Sequence, residues 1–259
     1  MLKREDYVVA NRDAWNEVAP RHSEHNQARL KALFAAGGYN HLDSEMIAML
    51  ERIGVGRKPV VQVGCNNGID LLSVKGMGAG ECLGIDQAPA FLEQARELAG
   101  IAGHDDVIFW EGNVYALPGE LAGRFDIAMT TIGVLHWMSD LEAFFQAVTD
   151  LIAPGGYWVM EETHPMVLMY EEGEDGGGSK LAYSYFRTEP LKWDDGLDYF
   201  GDERYEANPC YSFMYKMSDV VNAGIGAGLE LLHMQEVDRD ISNHCADIEH
   251  VQANPAQGL

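Results

Sequence analysis

The stretch Val60-Val61-Gln62-Val63-Gly64-Cys65-Asn66-Asn67-Gly68 decides the architecture. The run Val60 to Val63, entered through Pro59, reads as a short buried strand. Gly64 and Gly68 bracket a turn, after which Ile69 to Val74 continues as a helix. Working outward, the same alternation repeats. Cys82 to Ile85 reads as a strand, and Pro89 to Ala99 as a helix with Phe91, Leu92, Ala95 and Leu98 on one stripe. Val107 to Trp110 and Phe125 to Thr131 follow as strands. Asp140 caps a helix whose apolar face is Leu141, Phe144, Phe145, Val148, Leu151 and Ile152. Pro154-Gly155-Gly156 ends it before a fifth strand, Tyr157 to Met160. Upstream, Ser44 to Ile53 is helical and stops at Gly54. Strands and helices alternating in this way imply an α/β, doubly wound, mostly parallel sheet with helices on both faces.

The texture changes after Pro165. Residues 171–178 read as an acidic, glycine-rich loop. The stretch to Met217 is dense in aromatics, among them Tyr183, Tyr185, Phe186, Trp193, Tyr199, Phe200, Tyr205, Tyr211, Phe213 and Tyr215, which suggests short antiparallel strands. Ser218 is expected to cap a last helix through Gly226, and Leu229 to Val237 to form a last strand. No strand is legible from Asp238 onward, so the sheet edge is expected to be partly uncovered or masked by residues 238–259. The expected organisation is an N-terminal helical segment (1–40), an α/β domain (41–165 and 218–259) and an aromatic-rich cap insertion (166–217).

The glycines let backbone approach a ligand where a β-carbon would collide. Eighteen residues beyond Gly68, the second strand ends in Gly84-Ile85-Asp86. A carboxylate there can accept both hydroxyls of a ribose, and both features sit at the carboxyl edge where open α/β sheets bind ligands. A dinucleotide fingerprint would place a middle glycine where Asn66 stands. Pyrophosphate needs that close approach, whereas S-adenosylmethionine (SAM) has no phosphate and tolerates the bulk.

The ordered series resembles class I, Rossmann-like SAM-dependent methyltransferases over roughly residues 40 to 237. The motifs are V-V-Q-V-G-C-N-N-G, G-I-D-Q-A-P with F-L-E-Q-A, E-G-N-V-Y-A-L-P, and F-D-I-A-M-T-T-I-G-V-L-H-W with L-I-A-P-G-G-Y-W-V-M-E-E. The chain departs from the family at Gln62, where an acid is usual, at Asn66, and at Asn113, which replaces an aspartate. Both Gln62 and Asn113 keep a carbonyl acceptor. The resemblance implies SAM as cofactor and S-adenosylhomocysteine (SAH) as product. It assigns Gly64, Cys65, Asn66 and Gly68 to backbone contact with the cofactor and Asp86 to the ribose, with Gln87, Asn113 and Val114 bordering adenine. Thr131 and Ile132 would lie beneath the sulfonium, with Gln62 beside the turn. The segment Tyr7 to His22, with Asn11, Arg12, Trp15 and Asn16, is expected to fold over the cofactor as a helix.

Methyl transfer asks an enzyme mainly for alignment and desolvation, and a base only where the acceptor must lose a proton. His136 and His164 fall at strand ends beside the expected site; His164 is preferred because Glu161-Glu162-Thr163-His164 opens the insertion. Of Glu161 and Glu162 one must point inward, and Glu161 is the candidate to orient a histidine or anchor an amine. Tyr183, Tyr185, Phe186, Trp193 and Trp137 are the expected acceptor walls, the competing use of such aromatics being a core or a homodimer surface.

The formal net charge of −23, from 41 acidic against 18 basic residues with no basic cluster, disfavours nucleic acid and anionic membrane surfaces as partners. No run of eighteen apolar residues and no signal peptide are visible, so a cytoplasmic location is expected. Cys65, Cys82, Cys210 and Cys245 are too widely spaced for a zinc site or a disulfide framework, and no metal is expected. The expectation is a methyltransferase acting on oxygen or nitrogen of a small molecule, as in secondary metabolism. The alternatives are a NAD-dependent oxidoreductase on the same topology and a non-catalytic SAM-binding protein.

Overall fold

A computed structural model describes residues 2–171, 180–197 and 205–237. Five strands form one parallel sheet: β1 (Val60–Val63), β2 (Cys82–Asp86), β3 (Ile108–Glu111), β4 (Phe125–Thr130) and β5 (Ile152–Met160). Their spatial order is β3-β2-β1-β4-β5. The chain reverses its direction of travel across the sheet between β1 and β4, which opens a crevice above their carboxyl ends.

The sheet is covered on both faces. Val60, Ile127, Met129 and Val159 point to one side and pack with α3 (Ser44–Arg52), α4 (Ile69–Gly76) and α5 (Pro89–Ala102). Val61, Val63, Ile85 and Ala128 point to the other and meet α6 (Leu141–Leu151) and α7 (Met217–Gly226). Burial of both faces explains why the strands read as nearly continuous apolar runs. Local signals fix the helix starts. The Asp43 carboxylate accepts from Glu45 N at 2.8 Å and the Asp140 carboxylate from Ala143 N at 3.0 Å. Pro89 occupies the first turn of α5.

A long α1 (Arg4–His22) passes through a π-helical turn, Ser23–Gln27, into α2 (Ala28–Ala36). Val18 and Ala19 of α1 bury against Ala88 and Phe91. After β5, two antiparallel pairs form, as the aromatic alternation suggested. β6 (Tyr170–Glu171) pairs with β7 (Lys180–Leu181), and β8 (Leu191–Trp193) with β9 (Cys210–Ser212).

Three expectations need correction. The Pro154-Gly155-Gly156 triplet does not precede the fifth strand but lies inside it. Phe125 pairs with Ile152 and Ile127 with Tyr157, so residues 153–156 bulge out of the ladder, with Gly155 at φ 81°. Ser218 sits within α7 rather than capping it. The helix begins one residue earlier, where Lys216 N donates to the Asp219 carboxylate at 3.1 Å. Finally, Leu229 to Val237 is not a strand. Its apolar side chains do not alternate onto one face, and Leu231 and Leu232 are 60% and 67% exposed. Among the described residues β5 therefore pairs on one side only. The tail 238–259, Tyr199, Phe200 and most of the acidic loop 171–178 lie outside the described residues.

Candidate active site

The turn after β1 is built by backbone. Gly64 N and Cys65 N both donate to Ile85 O, at 2.8 and 3.1 Å, tying the turn to β2. Gly64, Asn66 and Gly68 all have positive φ (72°, 48° and 74°). At Gly68 a Cβ would stand 2.7 Å from the Phe109 ring and 3.0 Å from Ala95 Cβ, so glycine is required on two counts. Asp86, at the tip of β2, faces this turn. One carboxylate oxygen accepts from Asn66 N at 2.8 Å and the other from Ala88 N at 2.9 Å. Burial raises its pKa above the ordinary aspartate value, while those donors and Gln87 N pull it back.

Beside Asp86 a cleft of about 240 Å³ runs between the strand tips and α1. Gln87, Glu111, Gly112 and Asn113 form its floor, and Glu5, Val8, Val9 and Arg12 its roof. The Asn113 side chain also caps the short turn at Val114, accepting from Tyr115 N at 3.0 Å.

The turn after β4 is held by side chains from afar. The Glu162 carboxylate, just beyond β5, accepts from Gly133 N at 2.5 Å and Leu135 N at 3.2 Å. Burial outweighs these donors and lifts its pKa to about 8. The anchored turn presses Val134 onto Gly64, where a Cβ would come within 2.8 Å. The two turns thus meet across the reversal between β1 and β4. His136 and Trp137 follow directly, their rings 4.8 Å apart, and Trp15 of α1 stands edge-on to Trp137 at 5.3 Å. Phe213 N donates to His136 O at 2.7 Å, bringing the strand end of β9 to the same turn.

Residues 60–156 match a family described as a methyltransferase domain. The chain is 29% identical over 119 residues to ribosomal protein L11 methyltransferase of Clostridium botulinum (strain Eklund 17B / Type B), a match covering 46% of this chain. The same enzyme of the Alaska E43 strain matches to the same extent. The chain spans 37% of the length of these curated relatives. Among solved structures, an S-adenosylmethionine-dependent methyltransferase from Mesorhizobium loti shares the fold with a TM-score of 0.57 and 22% identity. That likeness covers 77% of this chain and 85% of the other.

Residues 60–156 therefore carry a methyltransferase domain, on the class I, Rossmann-like fold of SAM-dependent methyltransferases. SAM is the cofactor of this methyltransferase family, and the geometry above fits it. Asp86 lies at the strand tip adjoining the Gly64 to Gly68 turn, and the cleft lined by Gln87 and Asn113 begins at the next residue, while the space a Cβ would take at Gly64 and Gly68 is filled by Val134 and Phe109. One buried acceptor also awaits a donor. Gln62 Nε2 donates to Thr131 Oγ1 at 2.9 Å, but its Oε1 has no hydrogen-bond partner among the described residues although the residue is 1% exposed.

The other expected site residues are placed as follows. Cys65 is buried, and burial raises its thiol pKa well above normal, so the position offers backbone, not a thiolate. Glu161 continues the β5 pairing, with its N–H donating to Thr130 O at 3.0 Å, and its charge acts on His41. His164 has both ring nitrogens engaged. Met166 N donates to Nδ1 at 3.1 Å, and Nε2 lies 2.8 Å from the Glu236 carboxylate. Trp193 donates through Nε1 to Ser212 Oγ at 2.7 Å, and its ring meets that of Tyr183 at 6.5 Å. The Tyr185 hydroxyl accepts from Met217 N at the start of α7, and Phe186 is 73% exposed.

Two groups are not legible in the sequence, and for a third, Asn11 on the N-terminal helix, the burial and the partners are not. The Glu162 clamp was hidden because a polar strand end does not announce which carboxylate turns inward. The pair His41 and Asp70 (Nδ1 to Oδ1, 2.8 Å) joins the segment before α3 to the first turn of α4, and Asp70 raises the His41 pKa chiefly through that hydrogen bond. Asn11 is 1% exposed. Its signal was present, since it heads the buried series Asn11, Ala14, Val18 on one helix face.

Proposed function

We propose that this methyltransferase acts on an oxygen or nitrogen atom of a small-molecule acceptor. One observation supports it above the others: the chain's own α1, fastened to β9 through Asn11, lies across the strand tips beside Asp86 and leaves a cleft of about 240 Å³ there. A partly covered cleft of that volume suits a ligand of limited size.

When bound, the cofactor supplies an electrophilic methyl group on a sulfonium. The chain's own residues do the rest. The backbone of Gly64 to Gly68 and the Asp86 carboxylate hold the amino-acid and ribose parts. Gln87, Asn113 and Val114 would border the base, and Gln62 Oε1 would offer an acceptor to the cofactor's ammonium end. Thr131 and the turn held by Glu162 form the floor beneath the reacting atoms. Trp15 and Trp137 would wall the acceptor side, with Tyr183, Tyr185, Phe186 and Trp193 from the segment after β5 as its cap. His136, next to the turn that meets Gly64, is the better-placed base for an acceptor hydroxyl or ammonium. His164 serves only after releasing Glu236.

Calorimetric titration with SAH and, separately, with NAD tests the cofactor assignment. Micromolar SAH binding with no NAD binding is expected, and the reverse overturns the reading. Turnover of phenols and amines, followed by mass spectrometry as gain of one methyl group, tests the acceptor class. Methylation of an intact protein substrate in preference to every small molecule would contradict it.

A further inference from the structure

We infer that Asn11 is the latch that holds α1 closed over the cofactor cleft, and that its release sets how fast the cofactor leaves. The inference rests on the cofactor placement proposed above.

The two halves of α1 are fastened differently. Its carboxyl half is sewn to α5: Asn16 Oδ1 accepts from Ala90 N at 3.0 Å, Gln94 Nε2 donates to Ala19 O at 2.9 Å, and Val18 and Ala19 are fully buried. The amino half carries the cleft's roof, Glu5, Val8, Val9 and Arg12, and contributes no residue to the buried clusters on either face of the sheet, reaching their rim only where Arg4 lies over the Tyr115 ring at 5.0 Å. What holds it down is Asn11. Its Nδ2 donates to Tyr211 O at 2.9 Å and Trp137 O at 3.2 Å, and its Oδ1 accepts from Tyr211 N at 2.7 Å. One side chain therefore joins three elements: α1, β9 and the turn after β4. Tyr7 adds ring contacts to Tyr211 and Phe213 at 5.1 and 5.2 Å, and Arg4 an ion pair to Asp140 with both side chains 40% exposed.

An asparagine inside a helix is a poor helix former, and its amide is costly to bury unpaired. Both costs are offset only while β9 and the turn after β4 are in place. The contact is therefore cooperative: losing one partner leaves buried polar groups unmatched and favours losing the rest. That is the behaviour of a two-position fastening. The roof it fastens lies directly over Gln87 and Asn113, so the nucleoside end of the cofactor passes when the latch opens.

The test compares SAH dissociation rates, by stopped-flow displacement, for the full chain and its Asn11→Ala and Asn11→Asp variants, with hydrogen exchange read in parallel. Asn11→Asp keeps the size and can accept from Tyr211 N, but loses both donations. Dissociation about tenfold faster is expected in each variant, the equivalent of ~1.4 kcal/mol. Amides of residues 4–14 and Tyr211 should exchange faster while those of β1 and β4 do not change. Removing the exposed Asp140 pair together with the contact of Arg4 on the Tyr115 ring, in Arg4→Ala, should alter the rate less than about threefold. An unchanged dissociation rate alongside faster exchange at residues 4–14 overturns the gate, and unchanged exchange overturns the latch itself. A merely structural role would lower the melting temperature while leaving the dissociation rate at 20 °C (roughly ambient) unaltered. If the unmodified chain fails to bind SAH, the cofactor assignment fails instead, and exchange alone decides whether Asn11 fastens α1.

Discussion

Two turns meet at the centre of this site, and they are made by opposite means. The turn after β1 is shaped by its own residues: positive φ at Gly64, Asn66 and Gly68, and backbone bonds to the adjacent strand. The turn after β4 has only Gly133 at positive φ, 89°, and takes its shape from groups far along the chain. Glu162 holds its N–H groups, Asn11 its Trp137 carbonyl and Phe213 its His136 carbonyl. A turn of the first kind is set by its own backbone and the tip of the adjacent strand. One of the second kind registers what happens in β5, α1 and β9, and so ties those three elements to the edge where β1 and β4 meet.

The sharpest way to break the first turn is Gly68→Val. A branched side chain would adopt an unfavourable left-handed backbone, about 1–3 kcal/mol, and would overpack Phe109 and Ala95 at a further 1–3 kcal/mol or so. A drop of about 2–6 kcal/mol in unfolding free energy is expected from urea titration. A variant within 0.5 kcal/mol or so of the parent would mean that Phe109 moves aside freely. Next in size is Asp86→Ala, which leaves Asn66 N and Ala88 N without their carboxylate partner and removes the acceptor proposed for ribose. SAH affinity should fall about 30- to 100-fold, or ~2–3 kcal/mol. Undiminished affinity would place the sugar elsewhere.

The same contrast explains what was legible in the sequence. Val60 to Gly68, the capping Asp140 and the Pro89 helix start depend on neighbours within a few residues, and the parallel sheet followed from them. Leu229 to Val237 has strand-like composition, but a strand needs a partner edge in register, which composition does not report. Likewise nothing around Glu162 reveals that its carboxylate reaches back to Gly133, 29 positions earlier. His164 read as a free histidine at a strand end, yet its partners Met166 and Glu236 are set by the path of the chain after β5.

The second turn is best tested by pH, where the effect is smaller and signed. Glu162 has a pKa of about 8 in the folded chain against 4.5 for the free side chain. Between those values the folded state retains a proton that the unfolded state has lost. Unfolding then releases protons, so the Glu162 contribution makes stability fall as pH rises through that window, by at most ~1.4 kcal/mol per pH unit. Glu162→Gln carries no titrating proton, and the difference in unfolding free energy between variant and parent should change with pH from 5 to 8 (about the span between the two values) in the variant's favour. His41 gives a background of the same sign: its pKa is raised by Asp70, so its stabilisation is complete below the unfolded value and is lost as pH rises through the folded one. That term is common to both proteins and cancels in the difference. A pH-independent difference would show that Glu162 is ionised throughout, held by the amides of the turn rather than governed by its burial. The β4 turn would then be a fixed anion clamp, and its ties to α1 and β9 would run through Asn11 and Phe213 alone.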